Sequence, residues 1–72
     1  MSAVRIYVMY PATTAGTRTW HVSVDGKDGE SFTDGLLALQ AACDRARVME
    51  EMGDEVTVLQ EDAAGAWHIA RE

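Results

Sequence analysis

Seventeen consecutive residues, Leu36 to Met52, contain neither glycine nor proline. They are rich in Ala, Leu, Met, Arg, Glu and Gln, the residues that lose least on entering a helix. In a chain of 72 residues, one helix of that length dominates every arrangement. Thr33 or Asp34 supplies an N-cap oxygen for the free N–H groups of the first turn. Phe32, just before them, is placed to pack back onto Leu37 as a hydrophobic staple. Gly53 suits the left-handed residue that ends many helices. The stretch Ser31 to Gly53 therefore reads as a single long helix with its lead-in and stop.

At 100° per residue, Gln40, Asp44, Arg47 and Glu51 share one narrow polar stripe. Leu36, Leu39, Ala42, Cys43, Ala46 and Met49 form one apolar flank. Leu37, Ala41, Val48 and Met52 form a second, and only Arg45 interrupts the arc between them. A helix that covers one sheet needs one apolar stripe. Either a small core wraps both flanks, or one flank meets a second subunit or a partner, with Leu37, Val48 and Met52 as its contact residues.

The rest of the chain reads as strands. Val4 to Tyr10 is β-branched and aromatic, and Pro11 ends it because proline cannot donate to a ladder. Ala12 to Gly16 is a small polar loop. Thr17 to Asp25 is a second strand, close enough to the first to form an antiparallel hairpin with a loop of about five residues. Asp25 to Glu30 is a turn: no frame sets acidic or amide oxygens at calcium-loop spacing with glycine at the sixth position. Glu55 to Gln60 is a third strand, Asp62 to Gly65 a hairpin turn, and Ala66 to Arg71 the last strand. The order is β-β-α-β-β. This implies a single α+β domain over residues 1–72, one long helix packed on a mainly antiparallel four-stranded sheet.

Trp20-His21-Val22 echoes Trp67-His68-Ile69. Both tryptophans are expected to face the helix, since a large ring gains most from burial. Both histidines then face away, onto an open sheet face with Tyr7, Met9, Thr19, Thr57 and Leu59. Such a face, mixed and uncovered, makes a contact patch. It also raises a small-molecule or metal site built on His21 and His68, although no third ligand is supplied.

A chain this short buries only about 60% of its unfolded surface and needs extra support. Cys43 is the one cysteine, which excludes an internal disulfide and fits a buried thiol in a reducing compartment. No Cys/His cluster has zinc spacing. Oligomerisation is the support left open. The apolar run in MSAVRIYVMYPA is short and lacks a basic region and a cleavage site, so it is not a signal peptide. Nothing approaches the roughly 20 apolar residues of a membrane span. The expectation is a cytoplasmic protein that makes no membrane contact.

The net charge is −6 and unevenly placed: residues 1–30 hold three basic and three acidic side chains, residues 31–72 three and nine. Such a chain does not bind nucleic acid through its phosphates. Glu50, Glu51, Asp54 and Glu55 crowd the helix C-terminus, which prefers cations. Arg47 is placed to pair with Glu51 at i+4. With Glu61 and Asp62 these acids form either a solubilising end or a patch for a basic partner. Phosphate loops, nucleophile elbows and Ser/His/Asp orders are missing. The expectation is a non-enzyme without a cofactor.

The Trp-containing second strand, SFTD before an Ala-rich helix, a Gly stop, V-T-V-L and a closing hairpin resemble small bacterial β-β-α-β-β proteins of unknown function. That resemblance brings no catalytic residues. In size, acidity and element order the chain is also similar to short phage-encoded inhibitors, some anti-CRISPR proteins among them. The leading expectation is a protein-interaction module that binds a protein partner or itself as a homodimer. A phage inhibitor whose acidic end imitates nucleic acid is the variant.

Overall fold

A computed structural model describes residues 3–11, 19–27 and 29–71. In chain order they form β1 (Ala3–Met9), β2 (Trp20–Val24), β3 (Ser31–Phe32), α1 (Gly35–Glu51), β4 (Glu55–Glu61) and β5 (Trp67–Arg71). The class is α+β, but the sheet has five strands rather than four. Ser31 and Phe32, taken above as the lead-in to the helix, pair with His21 and Trp20 instead. Two residues carry too little periodicity to be read as a strand. The expected loop Ala12 to Gly16 and the start of the second strand at Thr17 lie outside the described residues.

The strand order is β3-β2-β1-β4-β5. Three pairings are antiparallel and β1 runs parallel to β4. A parallel neighbour needs a long crossover. The chain between them carries α1, which supplies it.

The helix ends follow from single residues. Asp34 caps the start, its Oδ1 accepting from Leu36 N–H at 2.8 Å. Helix and sheet meet closely there: a Cβ on Gly35 would stand 2.7 Å from the Trp20 ring. At the other end Gly53 adopts φ +100°. Gly53 N–H donates to Glu50 O and Asp54 N–H to Met49 O, the paired bonds of a glycine-closed helix.

The helix buries Ala38, Ala42 and Ala46, spaced four apart on one face. Against them lie Val4, Ile6, Val8, Val22, Val56 and Val58. Alanine lets the helix backbone approach the strands closely. The largest fully buried side chains among the described residues are Ile6, Val8 and Val58. The core therefore does not wrap both apolar flanks. It takes the first, where Ala42 and Ala46 are buried beside Ala38 and Leu39 and Met49 pack against the core, and leaves the second in solvent. Leu37 and Val48 are more than half exposed, and Met52 is 79% exposed. Phe32 packs against the core from β3.

Turn chemistry sets the hairpins. Asp25 and Gly26 both have positive φ, between Val24 and Lys27, which exchange backbone hydrogen bonds. This is the two-residue geometry that Asp-Gly favours. In the β4–β5 turn, Asp62 Oδ1 accepts from both Ala64 N–H and Ala66 N–H. Among the described residues no helix is long and apolar enough to cross a membrane.

Candidate functional site

Strand register decides which side chains share a face. Val4, Ile6, Val8, Val22, Val56 and Val58 point toward α1. Their odd-numbered neighbours on β1, β2 and β4 point the other way. On that second face, one row across the sheet reads Ser23, Tyr7, Leu59, Ile69. The next row up reads His21, Met9, Glu61, Trp67, and the row below contains Arg5 and Thr57. Among the described residues no other element covers this face.

The face gathers a second set of large apolar residues, apart from Trp20, Phe32, Leu39 and Met49 that pack against the core. Tyr7 and Trp67 meet edge to face, centroids 5.4 Å apart at 76°, an arrangement favoured by the ring quadrupoles. Tyr7, Met9 and Leu59 are half-buried. Trp67 is 43% and Ile69 60% exposed.

Two expectations are corrected here. Trp67 does not face the helix as Trp20 does, because β5 pairs Trp67 with Glu61 and Ile69 with Leu59. His68 consequently does not share the open face with Tyr7, Met9, His21 and Leu59. It pairs with Gln60, on the helix side of the sheet beyond the helix N-terminus. There it stands 2.7 Å from Asp62 Oδ2. That hydrogen bond, with the Ala66 and Ala64 N–H groups, holds the Asp62 carboxyl below its usual range. Tyr10, Trp20, Gln60 and Ala63 complete a shallow hollow around this pair. His21 is engaged separately, its Nδ1 lying 2.8 Å from Ser31 Oγ. The two histidines therefore lie on opposite faces of the sheet and cannot share a ligand. Among the described residues no three His, Cys, Asp or Glu side chains are placed to hold a metal ion.

The second helix flank, with Leu37, Val48 and Met52, borders a hollow lined by Glu30, Ala41, Asp44, Arg45 and Met49. An ion pair, Arg45 to Glu30 at 3.3 Å, crosses it. At the acidic end Glu50 is not an open charge: Arg71 from β5 reaches it at 2.7 Å. Glu51 and Glu55 are exposed, and Asp54 is half-exposed. Arg47 pairs with Asp44 rather than with Glu51. Cys43 is half-buried on the flank toward β4 and β5.

Trp67 and Ile69 were not singled out for the open face from sequence. Their orientation is set by the β4–β5 hairpin, which pairs Glu61 with Trp67 and Leu59 with Ile69, and a register between strands cannot be read from alternation within one of them. Comparison with protein-family models, with curated proteins and with solved structures finds no match for the chain.

Proposed function

We propose that the protein is a non-catalytic interaction module that docks onto another protein surface through the uncovered face of its sheet. The observation behind this is a second set of large apolar residues away from the core. Valine, alanine and Ile6 fill the core, with Trp20, Phe32, Leu39 and Met49 packed at its margin, while Tyr7, Met9, Leu59, Trp67 and Ile69 gather on the face without a helix. Each fully buried large apolar side chain is worth about 1.5–3 kcal/mol, and that gain is not realised at Ile69 or Trp67 within the monomer. Tyr and Trp are also the residues that dominate binding energy at interfaces. The central row, Ser23, Tyr7, Leu59 and Ile69, is uncharged, and charges flank it, with Glu61 in the row above and Arg5 and Glu55 below. Interfaces share that anatomy. The unpaired Cys43 supports a reducing compartment as its place of work.

The acidic-mimic reading has less behind it, because Glu50 already spends its charge on Arg71. The histidine-site reading loses its basis with the two rings on opposite faces.

A photocrosslinking residue in place of Ile69 tests the proposal in the cells that make the protein. It is expected to yield discrete protein adducts, a second copy of the chain included. The same residue in place of Gln40, on the polar helix stripe, is expected to yield none. Equal adducts at both positions, or none at either, would contradict the proposal.

A further inference from the structure

We infer that the occupant of the uncovered face is a second copy of this chain. The two copies pack sheet to sheet about a two-fold axis that runs parallel to the strands, between β1 and β4. This rests on the interaction reading above and names its partner.

The sheet is built for such an axis. Its four longer strands lie in the order β2-β1-β4-β5, two on each side of the β1–β4 boundary. A two-fold along that boundary places β1 over β4 of the second copy and β2 over β5. In an isologous contact every pairing then occurs twice. The register fixes the partners. Tyr7 is level with Ser23 and Leu59, and Leu59 with Ile69. The operation therefore sets Tyr7 over Leu59 and Ser23 over Ile69. In the row above, His21 meets Trp67, and Met9 meets Glu61, whose Oε1 already accepts from Tyr10 N–H at 2.9 Å.

All but the Met9–Glu61 pairing bring uncharged side chains together. Ile69, well exposed, stands over Ser23, which is only 3% exposed and hydrogen-bonded to Lys27 O at 2.8 Å, so it meets a closed, flat part of the face. Trp67 lies over the His21 ring, an aromatic contact. Tyr7 and Leu59 cover one another at the centre.

Charge fits as well. Arg5 is the one Lys or Arg whose strand position puts it on this face among the described residues. The two-fold sets it over Thr57, with which it is level in the sheet. Glu55 is two residues along the same strand, about 6.7 Å away, within reach of an arginine side chain. Arg5 of each copy thus meets Glu55 of the other at the interface rim. Of the other acids, Glu61 lies on the contact face beside Trp67, and those on the helix and its C-terminus point away from it.

The size is adequate. Four strands about 4.8 Å apart and about 20 Å long outline roughly 400 Å² in plan. Projecting side chains add relief to that area, toward the ~800 Å² per partner of a standard interface. Sheets packing face to face keep their strands within about 30° of alignment, which a two-fold parallel to the strands permits.

The test is molar mass by light scattering across a concentration series, with circular dichroism confirming the fold of each variant. The wild-type chain is expected to move from 7.9 kDa to twice that mass. Ile69→Lys is expected to stay monomeric. Arg5→Glu should weaken the dimer about tenfold, and adding Glu55→Arg should restore it. A dimer indifferent to Ile69→Lys, or charge variants that neither weaken nor rescue it, would overturn the geometry and point to the β5 edge or the helix flank. A chain that remains monomeric throughout would overturn the dimer. The interaction reading would then stand if position 69 still crosslinks to another protein, and fall if it does not.

Discussion

The two faces of the sheet are built on opposite principles. At its centre the face under α1 is filled with valines, Ile6 and a stripe of three alanines, and Trp20, Phe32, Leu39 and Met49 close its margin. The other face carries two aromatic rings, Met9, Leu59 and Ile69, with no element over them among the described residues. Small residues bring backbones together and leave a helix and sheet in close contact. Large residues displayed on a sheet gain little until something covers them. The contrast separates two tasks. The first face holds the monomer together, and the second is free to hold it to something else.

The sharpest way to break this contrast is to make the same change on each face. Ile6→Ala should cost about 2–5 kcal/mol, the range for truncating a fully buried isoleucine. Ile69→Ala, in dilute monomer, should stay within about 0.5 kcal/mol. Urea unfolding of both variants reads the difference directly. Comparable losses would mean that Ile69 supports the fold, and the division between faces would fail.

Ala42→Leu probes the close packing. A larger side chain under the helix has nowhere to go and should destabilise by about 1–3 kcal/mol. The same change at Ala41, on the exposed flank side, should be nearly silent in thermal melts. A tolerant Ala42 would mean that the helix rides loosely on the sheet.

The helix ends give smaller effects. Asp34→Ala removes the cap to Leu36 N–H and should cost about 1 kcal/mol. Gly53→Ala forces a side chain into positive φ and should cost about as much. Neither should alter self-association at equal folded fraction, because neither residue touches the open face.

Much of this was legible in the sequence. Composition and the absence of glycine marked the helix, and Asp34 and Gly53 marked its ends. Alternation marked four strands and put Tyr7, Met9, His21 and Leu59 on one face. What the pattern could not carry was anything set by register between strands. Trp67 and His68 exchange faces with their expected positions because the hairpin pairs Glu61 with Trp67 and Gln60 with His68, a register that alternation within one strand does not reveal. Ser31-Phe32 is a strand only because β2 is there to pair with it. The helix pattern marked the flank that meets the sheet, since Leu39, Ala42, Ala46 and Met49 all lie in or against the core, but it left out Ala38.

The smallest expected effect concerns pH. Asp62 has its folded-state pKa lowered, first by the His68 hydrogen bond and then by the Ala66 N–H. A depressed carboxyl stabilises the fold above its unfolded pKa, about 3.9, and that contribution is lost as pH falls through the lower folded value. Stability should therefore decline in acid slightly less steeply for Asp62→Asn than for wild type. Denaturation midpoints between pH 5 and pH 2, roughly the window such a carboxylate spans, check this. Parallel curves would show that the turn does not sense this proton.

The central claim, that the uncovered face serves association rather than the monomer's core, is tested most directly by the concentration dependence of the urea midpoint. Folding linked to dimer formation strengthens by about 1.4 kcal/mol per mole of dimer for each tenfold rise in protein. The account predicts a midpoint that climbs with concentration for the wild-type chain and stays level for Ile69→Lys, the two converging at high dilution. A level midpoint for both, with Ile69→Lys less stable at every concentration, would contradict it and return Ile69 to the core.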